Sequence, residues 1–350
     1  GKAAPWLILG VVVFSYAVRA VYVESCSMFT RGGVYRIVKE ALGGTFAKVS
    51  VSALMFDYVL TGPISGVSAG QYIVGMLNDL AAFCAAQFHW TVTPHLRPDL
   101  ASAFIAICIT IYFWWQNTKG IEESSEKALD IMKITTVMVV ILLIWGFFTV
   151  VHRGAQLPPL PIPSNLHFSN DALGFLKGTK FAASLGLFGV LMAFGHSVLA
   201  MSGEESLAQV NREIEHPKLK NLKRAALAIA VYSFMFTGLC SLLAVMIIPD
   251  EVRVHVYRDN LIAGLAMNMV GPEVLRIIFR VFVVLVGFLI LGGAVNTAIV
   301  GSTGVLMRIA EDGVLTDWFR KPQKKYGTSY RIINLVAGMQ LLVIVLTHGN

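Results

Sequence analysis

Long apolar segments recur along this chain of 350 residues and constrain its fold more than any other feature of the sequence. A helix needs about 20 consecutive apolar residues to cross the hydrocarbon core of a bilayer. Only 14% of the residues are charged, whereas a soluble domain carries about 25%. The pattern predicts an all-α membrane protein with about eight transmembrane helices. The predicted spans are 5–27, 47–77, 99–116, 131–151, 181–203, 225–248, 275–306 and 333–347.

Basic residues are distributed unequally between the two sets of loops that alternating spans create. Of the 28 lysines and arginines, 18 fall on one side, nine on the other and one inside a span. Because cytoplasmic loops carry the excess of positive charge, the first side is predicted to be cytoplasmic. We therefore expect a multi-pass protein of the inner cell membrane, with the lipid bilayer as a partner. The net charge of +7 does not indicate nucleic acid, since no segment resembles an arginine-rich arm.

The sequence contains no recognisable catalytic or metal-binding pattern. Cys26, Cys84, Cys108 and Cys240 lie in or beside apolar spans without metal-ligand spacing, and we interpret them as small packing residues. There is no phosphate loop and no HExxH or CxxC motif. We therefore expect that the chain is not an enzyme and has no resident cofactor, with H⁺ or Na⁺ as the alternatives for a coupling ion.

The fifth span is interrupted by glycine and polar residues before it ends. In lipid, loosened backbone is tolerated only where protein or a water-filled cavity satisfies it, so a broken helix indicates a midplane binding site of a secondary transporter. The alternative is a loose helix end with both glutamates in cytoplasmic water. His196 is a candidate for coupling, although a lone histidine is more often a packing residue. The residues concerned are Gly195, His196, Ser202, Gly203, Glu204 and Glu205.

The second and seventh spans also carry polar residues. Asp57 lies with Tyr58 near the cytoplasmic start of the second span, and intramembrane acids are costly and face the interior, so Asp57 is either functional or interfacial. Gly62, Gly66 and Gly70 follow on one face, which is typical of a helix-packing stripe. In the seventh span the candidates are Asn296 and Thr297. These two side chains are expected either to bind sodium or a polar substrate or to form interhelical hydrogen bonds.

Charged residues at other span positions have both a structural and a functional interpretation. Lys133 opens the fourth span, where it either switches protonation during transport or snorkels to the cytoplasmic interface, and snorkelling is favoured. Arg19 and Glu24, five apart in the first span, either pair or snorkel. Outside the spans, 122–133 has an amphipathic pattern that predicts a helix leading into the fourth span. The loop at 249–274 is predicted to contain a short helix.

Four short motifs, in order, resemble those of the amino acid–polyamine–organocation (APC) superfamily of permeases. Gly-Gly-Val-Tyr at 32–35, with Lys-Glu-Ala-Leu-Gly at 39–43, resembles the motif after the family's second helix. Asn-Thr-Lys-Gly-Ile at 117–121, then Ser124, resembles the motif before its fifth. Ala-Met-Ser-Gly-Glu-Glu-Ser at 200–206 resembles the broken sixth helix. Arg-Ile-Ala-Glu-Asp-Gly-Val-Leu at 308–315 resembles the motif after the eighth.

This resemblance covers nearly the whole chain and implies a leucine-transporter-like fold of two inverted five-helix repeats. The spans would be family helices two to nine in a single domain over 1–350, and the sequence is expected to be an excised fragment. The implied unwound segment is Ala200–Glu204, whose carbonyls would face a substrate ammonium group, with Glu205 just beyond it as a gate or a helix-start residue. Some proton-coupled members carry a lysine in the fifth helix, and Thr135 fits its spacing better than Lys133.

The predicted function is a permease for amino acids or related amines that works by alternating access. The alternatives are transport of another organic or inorganic ion on this fold and a non-transporting membrane receptor or scaffold. The substrate is a small molecule, and the sequence leaves the oligomeric state open. The candidate binding residues are Ala200, Met201, Ser202, Gly203, Glu204, Glu205, Asp57, Tyr58, Asn296 and Thr297, and the candidates for coupling or gating are His196, Lys133 and Thr135.

Overall fold

The computed structural model describes residues 2–28, 34–89, 95–120, 125–165, 186–198, 214–311, 313 and 315–349, and within them it is helical without a strand. One π-helical segment, π1 (Ser233–Leu239), continues directly from the helix before it into the helix after it. The α-helices are α1 (Ala4–Met28), α2 (Val34–Leu42), α3 (Gly44–Gln87), α4 (Pro98–Thr118), α5 (Ser125–Arg153), α6 (Gly186–Ser197), α7 (Lys218–Tyr232), α8 (Cys240–Ile247), α9 (Asp250–His255), α10 (Leu261–Met267), α11 (Glu273–Glu311) and α12 (Tyr330–Thr347).

Six helical segments in the described ranges are long and apolar enough to cross a membrane, judged by length and composition. They correspond to predicted spans one, three, four, six, seven and eight, which confirms the multi-pass prediction. Of the predicted fifth span, residues 186–198 are described, nearly all of them in α6, and the remaining residues at its two ends are not. The helices α5 and α10 also confirm the helical segments expected before the fourth span and within 249–274.

The second predicted span forms α3, a helix of 44 residues that is not among the six. Its length fits a helix that projects beyond the bilayer, as 44 residues at 1.5 Å extend about 66 Å. Its lower hydropathy has a packing reason. The small residues at its centre pack against other helices: Gly62 faces α12, and Gly66 and Gly70 face α4.

The described helices divide into two compact units. In the unit formed by Gly1–Gly32, Val139–Val256 and Gly264–Pro272, α1 packs against α6, α7, π1 and α8. A Cβ added at Gly238 in π1 would lie 2.8 Å from Leu9, so the glycine allows this close approach. Lys2 and Asp250 form an ion pair of 2.8 Å at one end of this unit.

The other unit comprises Gly33–Met138, Tyr257–Ala263 and Glu273–Asn350, with α3 in contact with all of its other long helices. The glycine stripe of α3 makes these contacts. A Cβ at Gly66 would lie 3.2 Å from the Ala106 Cβ, and one at Gly70 would lie 2.6 Å from the Ser102 Cα. The packing interpretation of the stripe is therefore confirmed. That residues 1–350 form a single domain stays a prediction.

An ion pair joins α3 to α11 within the same unit. Arg280, whose side chain is 11% exposed, donates from Nη2 to Oδ2 of Asp79, which is 54% exposed. The Arg280 guanidinium carbon also lies 6.0 Å from the centre of the Tyr257 ring. Burial raises the pKa of Tyr257, and the positive charge of Arg280 opposes that shift. The pair therefore holds a mostly buried guanidinium at the junction of the two helices.

We expect Asp79→Ala to destabilise the protein by about 1–2 kcal/mol. The change leaves the Arg280 charge without its carboxylate, and the cost is below the roughly 3–5 kcal/mol of a fully buried pair because Asp79 is half exposed. Thermal unfolding in detergent measures it. Asp317→Ala is the matched control, since Asp317 is 85% exposed in its pair with Arg320 and should change little. Equal effects of the two substitutions would contradict a role for the Asp79 pair.

Candidate functional site

The most distinctive polar side chain of α3 is Asp57. It is partly buried, and its carboxylate makes no hydrogen bond or ion pair to another residue in the described ranges. It lies 13 positions after the first residue of α3, which places it about 20 Å along the helix. A carboxylate at membrane depth is costly unless a cation, a partner or water meets it. Asp57 is therefore the predicted site residue whose charge the packing leaves available.

Tyr58 occupies a different environment although it follows directly in the chain. Its side chain is 4% exposed and belongs to a cluster with Val305 and Ile309 of α11. A Cβ at Gly301 would lie 3.0 Å from the tyrosine ring, so this glycine makes room for it. Successive helical residues differ by about 100° around the axis, which explains why the two neighbours have separate surroundings. The geometry supports packing between α3 and α11 as the role of Tyr58.

Asn296 and Thr297 of α11 each have a hydrogen-bond partner. The Nδ2 of Asn117 at the end of α4 donates to the Asn296 Oδ1 at 2.7 Å, and it also donates to the Phe113 carbonyl at 2.8 Å. The Thr297 hydroxyl donates to the Gly293 carbonyl at 3.0 Å within its own helix. The Asn117–Asn296 contact is the interhelical bond that was the alternative to ligand binding. Asn117 was not identified as its partner from the sequence, although it opens one of the family-like motifs.

A buried glutamine forms another polar contact that sequence reasoning missed. Gln340 of α12 is 0% exposed, and its Nε2 donates to the Tyr58 carbonyl at 3.4 Å. A Cβ at Gly62 would lie 2.5 Å from this side chain, so α12 approaches α3 closely at that glycine. The next residue, Pro63, has no backbone N–H and leaves the helical hydrogen bonding of this turn incomplete. The signal available in the sequence was an amide side chain in an otherwise apolar span.

The three candidates for coupling lie in ordinary helical surroundings. The Lys133 ammonium pairs with Asp130 at 2.9 Å, and both side chains are 65% exposed. The Thr135 hydroxyl donates to the Ile131 carbonyl at 2.7 Å. The His196 Nδ1 lies 2.8 Å from the Met192 carbonyl, to which it donates in the tautomer with the proton on Nδ1. None of these contacts marks a proton path within the described residues.

The remaining predicted site residues, Ala200, Met201, Ser202, Gly203, Glu204 and Glu205, lie outside the described residues, as does the rest of 199–213. The described part of the chain holds no group of three or more His, Cys, Asp or Glu side chains that could bind a metal ion.

Of the four cysteines, Cys26 and Cys240 are buried, which agrees with packing, whereas Cys108 is exposed on the surface of α4.

Arg19 of α1 is another charged residue inside a predicted span. It is 2% exposed, and its Nη2 donates to the Ser233 hydroxyl at 3.2 Å. Ser233 is the first residue of π1, and π-helical turns inside α-helices are frequently found at functional sites. Arg19 is thus tied to the neighbouring helix instead of reaching away from the protein.

A comparison with protein families identifies the family of this chain. No curated protein matches the chain. The family described as amino acid permease matches it over residues 1–350. This match agrees with the four motifs, with the helical architecture and with the apolar segments of membrane-spanning length. The chain therefore belongs to the amino acid permease family of the APC superfamily and is a membrane transporter.

Proposed function

We propose that this permease moves amino acids or related amines across the membrane by alternating access. The environment of Asp57 carries the proposal: a partly buried carboxylate in α3 without a partner in the described ranges. The ammonium group shared by amino acids and amines is a cation that can meet it. The attraction within such a pair is stronger where water is excluded, because the interaction between charges strengthens as the effective dielectric constant falls.

The other predicted site residues have proposed roles that rest on the family resemblance or on their packing. The carbonyls of Ala200–Glu204 are proposed as further acceptors for an ammonium group, on the strength of the resemblance to the broken sixth helix, with Glu205 as a gate. The packed position of Tyr58 supports a role in fixing the shape of α3 and α11. The hydrogen bonds of Asn296 and Thr297 support a similar positioning role for these two side chains.

Uptake into proteoliposomes by the full-length protein tests the proposal. A panel of unlabelled amino acids and amines competes with a labelled substrate, and each compound is paired with an analogue in which the amine is replaced by hydrogen. We expect only the compounds that carry an ammonium group to compete. Competition by the analogues that lack the amine, at equal concentration, would overturn the role of the ammonium group. No uptake or exchange under any gradient would favour the receptor alternative.

We expect Lys133→Gln to retain at least half of the uptake, with an unchanged response to a pH gradient. The Lys133 ammonium is exposed and paired with Asp130 one turn away, and exposed pairs contribute about 1 kcal/mol at most. Initial uptake rates at acidic and neutral external pH check this expectation. Loss of uptake driven by the pH gradient, with folding intact, would instead assign proton coupling to Lys133.

A further inference from the structure

A cavity of about 580 Å³ lies between α1 and α7 and is formed within one compact unit. Its walls come from one face of each helix, because the lining positions are spaced by three or four residues. The two helices are held together beside it by the cluster of Val23, Cys26, Leu222 and Ala226. The main lining residues are Tyr16, Arg19, Val23, Glu24, Lys223 and Leu227.

The cavity has the length and position of a groove within one leaflet. On α1 its lining runs from Tyr16 to Ser27, which is about 16 Å along a helix and roughly half of a hydrocarbon core of about 30 Å. Met28, the last residue of α1, and Lys218, the first of α7, lie on the side that the distribution of basic residues predicts to be cytoplasmic. The groove therefore extends from the predicted cytoplasmic surface toward the bilayer midplane.

The chemistry of the groove changes along this length. Two cations and one anion line it, and Val23, Ala226 and Leu227 provide apolar wall. Lys223 is exposed near the start of α7, and Arg19 is held deeper in the groove by its hydrogen bond to Ser233. Glu24 and Ser27 add hydrogen-bond acceptors near the cytoplasmic end. The residues Lys218, Lys220, Lys223 and Arg224 place four positive charges in the first seven positions of α7.

We propose that this groove binds one anionic phospholipid of the cytoplasmic leaflet. Basic clusters beside a transmembrane helix attract anionic lipid, and basic pockets between such helices bind its headgroup. The phosphate lies at Lys223, in the positive potential of Arg19, and an acyl chain lies along Val23, Ala226 and Leu227. Glu24 and Ser27 accept hydrogen bonds from the hydroxyl groups of a headgroup such as glycerol. This site involves none of the residues assigned to transport.

Lipid binding to the full-length protein tests this site. Native mass spectrometry of delipidated protein is titrated with phosphatidylglycerol and, separately, with phosphatidylcholine of the same acyl chains. We expect phosphatidylglycerol to bind at least tenfold more tightly, and Lys223→Gln to weaken it about fivefold or more. Lys325→Gln removes the same charge from a predicted cytoplasmic loop of the other unit and should leave binding within twofold.

A second variant separates the groove from general surface charge. Leu227→Trp fills the cavity without changing charge, so it should lower the binding of phosphatidylglycerol at least fivefold if the groove holds the acyl chain. Equal affinity for the two lipids, or equal losses in Lys223→Gln and Lys325→Gln, would overturn the proposal. Lys223 is exposed, so its substitution is expected to preserve folding, which size-exclusion chromatography and the thermal midpoint verify.

Discussion

Replacement of Asp57 by asparagine is expected to lower the uptake of labelled substrate by at least 100-fold. Asparagine keeps the size of the side chain and removes its charge, so a bound ammonium group loses its proposed counter-ion. At about 1.4 kcal/mol for each tenfold change, this loss is about 2.8 kcal/mol, close to the roughly 3–5 kcal/mol for breaking a buried ion pair. Initial rates in proteoliposomes, at equal protein density, provide the measurement.

The same substitution should leave stability almost unchanged, which separates a binding role from a structural one. Asp57 makes no hydrogen bond or ion pair in the described ranges, so its charge supports no visible contact of the fold. The thermal midpoint of Asp57→Asn should therefore match that of the unmodified protein. Asp317→Asn, which removes an exposed charge, is the matched control for uptake. Normal uptake by Asp57→Asn would exclude the proposed ammonium site.

The substitution Gly70→Ala is expected to destabilise the protein by about 3 kcal/mol. A Cβ at this position would lie 2.6 Å from the Ser102 Cα and 2.7 Å from the Ser102 carbonyl oxygen. Both are backbone atoms, so no change of rotamer relieves the clash, and α3 must separate from α4. Overpacking a tight core costs about 1–3 kcal/mol, and a collision with backbone belongs at the upper end of that range.

Thermal unfolding in detergent, together with the yield of monodisperse protein, measures this effect. Gly304→Ala in α11 is the matched control, because a Cβ there would meet no atom within 4 Å and alanine favours a helix over glycine. We expect the control to be neutral or slightly stabilising. A similar loss in both variants would show that glycine flexibility, and not the close approach of α3 to α4, sets the requirement at Gly70.

The local properties of the sequence predicted the helices well and their surroundings less well. Six of the predicted spans recur as helices of membrane-spanning length, because hydropathy over about 20 residues depends only on neighbours in the chain. The span at α3 shows the limit of this signal. Small residues such as Gly62, Gly66 and Gly70 lower its mean hydropathy and pack on other helices, and composition alone does not identify those partners.

At the candidate site, too, the sequence identified individual side chains but not the residues that surround them. The sequence identified Asp57 and Tyr58 together as candidates. In the structure, however, the Asp57 carboxylate has no partner in the described ranges, whereas the Tyr58 ring packs on Gly301. The sequence selected Asn296 as a ligand or an interhelical bond, and the partner, Asn117, lies 179 positions away in the chain. Gln340 was missed because its carbonyl acceptor at Tyr58 is still more distant in sequence.

By itself, then, the sequence determined that the chain is an all-helical membrane protein, which six segments are long and apolar enough to cross the bilayer, and which superfamily its motifs resemble. These are local properties, set by the free energy of transferring about 20 residues into lipid and by short ordered motifs. Only the tertiary structure decided which glycines admit a neighbouring helix, which polar groups satisfy one another and where a groove opens between α1 and α7. Such features depend on contacts between distant residues, because a side chain acquires its environment only when the helices pack.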